Sequence, residues 1–355
     1  MTGPAFARTD TPADDNAAFI ERLTQYRDLT RKTLMERLPT KEPRRYLYGL
    51  VSECLAASGK GLRPALCLAT CRAFGGRIED ALDSAAAIEV LHNAFLVHDD
   101  IEDGSEFRHG KPTMYRQYGV PLAVNTGDAM QALSMRLLRR NLSTLGPEVA
   151  WRVVDEFDHM LMESLEGQAM ELGWIRDNTC DISESDYLRM VLKKTCWYSF
   201  IHPCRIGALI ARPRDINLDS FNEFGYFLGA AFQIGDDILN LIGSRERYGK
   251  EIGGDLYEGK RTLMLSHLFA QSSSQEQRKL QDLLGRPRQR RLPREIDWLN
   301  ELLRKYGSIE FAQARARELL GAAEEAFNQV YGSAPESDDK VFIRRILRYM
   351  IDRPA

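Results

Sequence analysis

Apolar residues recur at steps of three and four along most of this chain. Val153, Phe157, Met160, Leu161 and Leu165, with the small Ser164 between them, form one such run. On a helix that spacing gathers the apolar side chains on one face. The strict alternation of half-buried strands does not appear, nor do β-branched runs joined by Asn-Gly turns. Proline agrees with the helical reading. The 14 prolines fall between long stretches that have none: 65–111, 148–202 and 214–286. Breaks are expected at Gly75-Gly76, Gly104 to Pro112, Leu145-Gly146-Pro147, Arg212 to Asp215, Gly253-Gly254 and Gly285 to Pro293. None is wide enough to divide the chain. The pattern predicts an all-α protein with one large helical domain over 19–355 and a short flexible lead over 1–18.

Composition narrows the functional classes. The chain has 355 residues, 44% of them hydrophobic and 28% charged, enough apolar content for a sizeable core. Its 48 Lys+Arg against 51 Asp+Glu leave a net charge of −3, which argues against a surface built for nucleic acid. One segment, GRPRQRRLP over 285–293, is locally basic, with Arg294 just after it. Two prolines and no interleaved aromatics make it a solvated surface loop rather than a contact for RNA or anionic lipid. Cys54, Cys67, Cys71, Cys180, Cys196 and Cys204 show no C-x-x-C spacing and read as reduced, packed thiols of a cytoplasmic protein. No apolar run approaches the ~18–20 residues of a membrane span, and the N-terminus lacks a signal pattern. The stretch from Val341 to Asp352 reads as a packed terminal helix with Arg344, Arg345 and Arg348 on its solvated side.

The candidate chemistry lies in a motif that occurs twice. The first copy runs Phe95-Leu-Val-His-Asp99-Asp100-Ile-Glu102-Asp103, the second Phe232-Gln-Ile-Gly-Asp236-Asp237-Ile-Leu-Asn240. Each has a Phe four residues before an aspartate pair, and each follows an apolar helical stretch. Asp99 and Asp103, four apart, project from one helix face. Four acids within five residues repel one another unless cations neutralise them. Hard carboxylate oxygens suit Mg²⁺, which keeps waters and bridges to substrate phosphates. An acidic helix end is usually a solvated one, but the apolar flanks put these acids at the mouth of a buried cavity.

Cations with glycine neighbours surround both copies. Gly59-Lys60-Gly61-Leu62-Arg63-Pro64 precedes the first, and Arg108-His109-Gly110-Lys111-Pro112 follows it. Lys193-Lys194-Thr195 stands mid-chain, and Gly249-Lys250 and Gly259-Lys260 follow the second. Glycine lets backbone approach an oxyanion, and Arg can grip one with two donors.

These motifs, in this order from Gly59 to Lys260, resemble those of the trans-isoprenyl diphosphate synthases, the polyprenyl synthetase family. The resemblance implies a helical bundle around a deep central cavity, usually a homodimer. It implies condensation of isopentenyl diphosphate onto an allylic diphosphate, most simply forming geranylgeranyl diphosphate (C20). Asp99, Asp103 and Asp236 would be ligands of Mg²⁺, three ions with bound diphosphate, with Asp100 and Asp237 beside them. Arg108, Lys194, Lys250 and Lys260 would hold the allylic diphosphate, close to Thr195 and Gln233. Lys60, Arg63 and His92 would hold isopentenyl diphosphate. Leu91, Ala94 and Phe95, upstream of Asp99 on the same helix, would set the cavity floor, and the small Ala94 suggests a pocket deeper than a C15 enzyme needs.

Two positions depart from the family pattern. His109 stands where a second arginine helps hold isopentenyl diphosphate, and Asn240 stands where an aspartate is usual. Asn240 could still accept a hydrogen bond from a metal-bound water, which implies weakened Mg²⁺ organisation. Three other readings share the fold: a farnesyl diphosphate synthase, a class I terpene synthase needing no isopentenyl diphosphate, and a non-catalytic regulatory subunit. His109 favours the second. The intact aspartates with Lys60 and Arg63 argue against the third.

Overall fold

The computed structural model describes residues 13–57, 59–108, 110–243 and 253–351. Helices account for nearly all of it. Among the described residues the only strands are a two-residue hairpin, Phe107–Arg108 against Lys111–Pro112, at the break expected between Gly104 and Pro112. The helices of eight or more residues are α1 (Ala13–Arg37), α2 (Gly49–Ala56), α3 (Leu62–Ala73), α4 (Ile78–Glu102), α5 (Val120–Leu138), α6 (Pro147–Arg176) and α7 (Glu184–Val191). They continue as α8 (His202–Ala211), α9 (Phe221–Ile242), α10 (Leu263–Gln271), α11 (Ser274–Leu284), α12 (Pro293–Lys305), α13 (Ser308–Tyr331) and α14 (Asp338–Ile351). Helix α1 begins at Ala13, within the segment expected as a lead.

Local chemistry sets several boundaries. Pro147, Pro203 and Pro293 stand in the first turns of α6, α8 and α12, where a missing N–H costs nothing. Ser183, Thr262 and Ser273 cap α7, α10 and α11 through their hydroxyls. No described helix is long and apolar enough to cross a membrane.

The apolar residues fall into two clusters that share α9. Phe224, Leu228 and Ala231 join the cluster built with α3, α4 and α13. Ala230, Ile234 and Ile238 join the one built with α7, α10 and α12. Helix α9 is therefore covered over most of its circumference, and its one exposed residue is Glu223 in the first turn. Between α7 and α8 the chain winds as a π-helical segment over Leu192–Ile201. The wider winding turns Lys194, Thr195 and Tyr198 toward one cavity. Gly167 of α6 makes this possible: a Cβ there would lie 2.2 Å from the Lys194 amide nitrogen.

The basic segment over 285–293 is mostly exposed, as expected, but one of its arginines is buried. Arg291 is 6% exposed. Its Nη1 donates to the carbonyls of Leu256 (3.2 Å) and Tyr257 (2.7 Å), and its Nη2 to that of Leu284 (2.7 Å). The guanidinium lies against Gly259, where a Cβ would come within 2.7 Å of it, and Gly259 holds φ +74°. The charge is tolerated because carbonyl oxygens solvate it, while burial and the nearby Arg261 and Arg288 lower its pKa to about 10. Arg291→Met is expected to strand those carbonyls, at about 3 kcal/mol, and to lower Tm by roughly 4 °C. Thermal melting followed by circular dichroism checks this; an unchanged Tm refutes the clamp.

Helix α14 buries Phe342, Ile343, Ile346 and Leu347. It is packed as expected, and its Tyr349 reaches the cavity.

Candidate functional site

A cavity of about 1100 Å³ opens between α4, α6, the π-helical segment and α9. Asp99 of the first aspartate motif, Asp236 and Asp237 of the second and most of the predicted cations line it, whereas Asp100 and Asp103 do not. From α4 come His92, Phe95 and Asp99, at steps of three and four on one face. From α9 come Phe232, Gln233, Asp236 and Asp237.

The aspartates of the first motif are each held by a cation from another segment. Arg108 Nε donates to both oxygens of Asp100 (2.9 and 3.0 Å), and its Nη2 lies 3.3 Å from Asp99 Oδ2. Asp100 itself is buried, 4% exposed. Lys194 binds Glu171 of α6 and lies 3.7 Å from Asp99 Oδ1. Lys260 Nζ lies 2.7 Å from Asp103 Oδ2, 3.1 Å from Glu258 Oε2 and 3.8 Å from Asp255 Oδ1. Burial alone would lower the Lys194 and Lys260 pKa values. Glu171 and Asp99 for the first, Asp103 and Glu258 for the second, overcome it and raise both. Burial pushes the Asp103 carboxyl up to about 7 even against Lys260.

In the second motif, Asp237 accepts from Tyr187 Oη and Gln233 Nε2, each at 2.8 Å. Thr195 Oγ1 donates to Gln233 Oε1 at 2.8 Å, so the π-helical segment orients the glutamine that orients the aspartate. Burial, and then the charge of Asp255, pushes Asp237 up to about 8.

The other cations gather at one side of the cavity. Arg63 donates to Ser199 Oγ (3.1 Å) and Tyr198 Oη (2.9 Å), and lies 3.1 Å from His92 Nε2. Its guanidinium also stands over the Tyr198 ring, 4.5 Å from the centroid. Lys60 binds the Tyr349 hydroxyl. His109 and Lys250 lie outside the described residues.

Three residues that the sequence places at the site do not line this cavity. Ala94 and Leu91 are buried, 0% and 1% exposed, and neither lines the cavity. They face the packed interior of the bundle, and the wall residue one turn before Asp99 is Phe95, whose ring meets Tyr198 edge-on at 5.5 Å. Asn240 is 3% exposed and does not line the cavity either. Its Oδ1 accepts the Asp255 N–H (3.1 Å), and its carbonyl accepts the Gly253 N–H. It fixes the turn that presents Asp255 and Lys260, a task for which an amide oxygen serves as well as a carboxylate.

Several cavity residues were not singled out from sequence: Gln168 and Glu171 on α6, Tyr187, Tyr198, Tyr349 and Asp255. Asp255 had a signal, since it closes the Gly-Gly-Asp turn before Gly259-Lys260. The tyrosines had none.

Among the described residues no three carboxylate, His or Cys side chains converge on one point as a metal cage. Mg²⁺ takes one or two carboxylates and completes its shell with water and substrate phosphate. Buried aspartates facing a cavity, with depressed acidity, are a donor set that a cation would relieve.

The polyprenyl synthetase family profile matches residues 44–301. A geranylgeranyl diphosphate synthase of Sulfolobus acidocaldarius is 34% identical over 284 residues, 80% of this chain and 84% of that protein. The solved geranylgeranyl pyrophosphate synthetase of Pyrococcus horikoshii superposes with a TM-score of 0.83 at 29% identity, covering 94% of this chain and 98% of that one. A polyprenyl synthase of Caulobacter crescentus, solved with calcium and isoprenyl diphosphate, gives 0.81 at 25% identity, covering 95% and 98%. With two aspartate motifs facing cations across an apolar cavity, and with matches of this extent, the chain belongs to the polyprenyl synthetase family.

Proposed function

We propose that this enzyme condenses isopentenyl diphosphate with an allylic diphosphate and releases geranylgeranyl diphosphate. The observation that carries it is one cavity lined by Asp99 of the first motif and Asp236 and Asp237 of the second, with Lys60, Arg63 and His92 at one side and Phe95 in its wall. The relatives from Sulfolobus and Pyrococcus, named as geranylgeranyl synthases, support the C20 length.

Asp99 and Asp103 on α4 and Asp236 on α9 would hold Mg²⁺, three ions with bound diphosphate. Bound there, the ions supply Lewis-acid stabilisation of the charge that develops on the departing diphosphate. Arg108, Lys194 and Lys260 are built to exchange partners: each now neutralises an aspartate and would turn to the diphosphate as it arrives. Lys60 and Arg63 would hold isopentenyl diphosphate so that its double bond faces the allylic carbon. That double bond attacks as the allylic C–O bond breaks, and the departing diphosphate takes the proton lost from the new carbocation. Phe95, Phe232 and Tyr198 keep water from the cation.

The test offers dimethylallyl, geranyl and farnesyl diphosphates with and without isopentenyl diphosphate and Mg²⁺, with products read by mass. A C20 product is expected. A product stopping at C15 replaces the reading with a farnesyl synthase. Hydrocarbon formed without isopentenyl diphosphate supports a terpene synthase. Turnover that appears only with a second chain supports a regulatory subunit. A homodimer is proposed as well: Val124 and Met135 of α5 and Trp151 and Met162 of α6 are apolar and exposed, Trp151 by 61%. Light scattering at the mass of one chain would refute it. The six unpaired thiols suit a cytoplasmic location.

A further inference from the structure

The basic segment before α12 packs on the turn that carries Lys260. Arg288 Nη1 donates to Glu258 Oε1 at 2.9 Å. The other oxygen of Glu258, Oε2, lies 3.1 Å from Lys260 Nζ, which lies 2.7 Å from Asp103 Oδ2. Four groups thus alternate in charge inward from the protein surface: Arg288, Glu258, Lys260, which lines the cavity, and the buried Asp103. Their side chains are 22%, 10%, 14% and 3% exposed, so water screens these contacts weakly. Ser105 Oγ also donates to Glu258 Oε1, at 3.4 Å.

The turn beneath them is held by other means. Arg291 clamps the carbonyls of Leu256 and Tyr257. Arg261, 3% exposed, donates from Nε to the Thr179 carbonyl at 2.9 Å, from Nη2 to Asn178 Oδ1 at 2.8 Å, and from Nη1 to the Gly259 carbonyl. The backbone position of Lys260 therefore does not need Arg288. What Arg288 changes is the charge that Lys260 meets. A carboxylate shared between two cations attracts each less than one facing a single cation.

We propose that Arg288 is a positioning residue for the reaction: its grip on Glu258 frees Lys260 to turn from Glu258 and Asp103 to the substrate diphosphate. This rests on Lys260 as a diphosphate-binding cation, the reading given above. The segment that the sequence marks only as a basic loop thereby acts on the active site through one glutamate.

Steady-state kinetics of the full chain with Mg²⁺, farnesyl diphosphate and isopentenyl diphosphate test it. Arg288→Gln is expected to raise KM for farnesyl diphosphate about five-fold, with KM for isopentenyl diphosphate unchanged. Glu258→Gln in the same chain is expected to cancel that rise, and Arg288→Lys, which keeps the charge, to stay within about two-fold of wild type. An unchanged KM in Arg288→Gln, an equal rise in both KM values, or no rescue by the second substitution overturns the proposal. If Arg288→Gln does not fold, Glu258→Gln alone decides: an unchanged or lower KM for farnesyl diphosphate upholds the proposal, and a higher one overturns it. A wild-type chain without turnover removes the diphosphate reading and the proposal together. A wild-type chain that turns over, with Arg288→Gln unaffected, removes only the positioning role.

Discussion

Asp99→Asn is expected to lower kcat by about a thousand-fold, about 4 kcal/mol in the barrier. Asp99 stands at the cavity mouth, half-buried, between Arg108 Nη2 at 3.3 Å and Lys194 Nζ at 3.7 Å. The amide keeps the shape and one acceptor but removes a charge that would hold a cation against the diphosphate. The same substitution leaves Arg108 and Lys194 less neutralised, so ground-state attraction for an anionic substrate does not fall. Hence kcat should drop while KM for the allylic diphosphate stays level or falls, the signature of an interaction made in the transition state. Asparagine fills the same volume, so Tm should move by only a few degrees. A kcat within ten-fold of wild type, measured at saturating Mg²⁺, would remove Asp99 from the metal set.

Phe95→Ala is expected to lengthen the main product from C20 to C25. Phe95 lines the cavity one helical turn, about 5.4 Å, before Asp99. Its ring closes against Tyr198 edge-on at 5.5 Å, so together they form a wall across the path of a growing chain. Removing the ring opens that wall without touching an aspartate or a cation. Ala94→Gly is the control. Ala94 is fully buried away from the cavity, so its loss should cost stability and leave product length unchanged. Mass analysis of products from farnesyl diphosphate and isopentenyl diphosphate separates the two. A longer product from Ala94→Gly, with none from Phe95→Ala, would mean that the floor lies on the other face of α4.

Much of the site is legible without coordinates because its signals are local. The spacing of Asp99 and Asp103 needs only the helical repeat, and the repeat of the Phe-to-Asp-Asp motif needs only a reading of the chain. Asn240 shows where such reading stops. Its place in the motif suggests a weakened metal site, yet its Oδ1 points to the Asp255 amide 15 residues on. Ala94 and Phe95 show the same limit. Adjacent positions on a helix point about 100° apart, and the sequence cannot say which one meets a cavity and which one meets a neighbouring helix. Arg291 reverses its expectation outright, because a guanidinium can be buried when backbone carbonyls solvate it, and only the folded chain brings those carbonyls together.

By itself, then, the sequence determined the helical class, the two acidic helix ends and the set of cations meant for an anionic substrate. These follow from periodicity, from proline and glycine, and from charge repulsion within a few residues. Only the tertiary structure decided which cation serves which acid and which side chains wall the cavity. Lys260 meets Asp103 across 157 residues of chain, and Arg63 meets Ser199 across 136. Such pairings are set by how helices pack, and the charge each group feels depends on neighbours that no local pattern encodes.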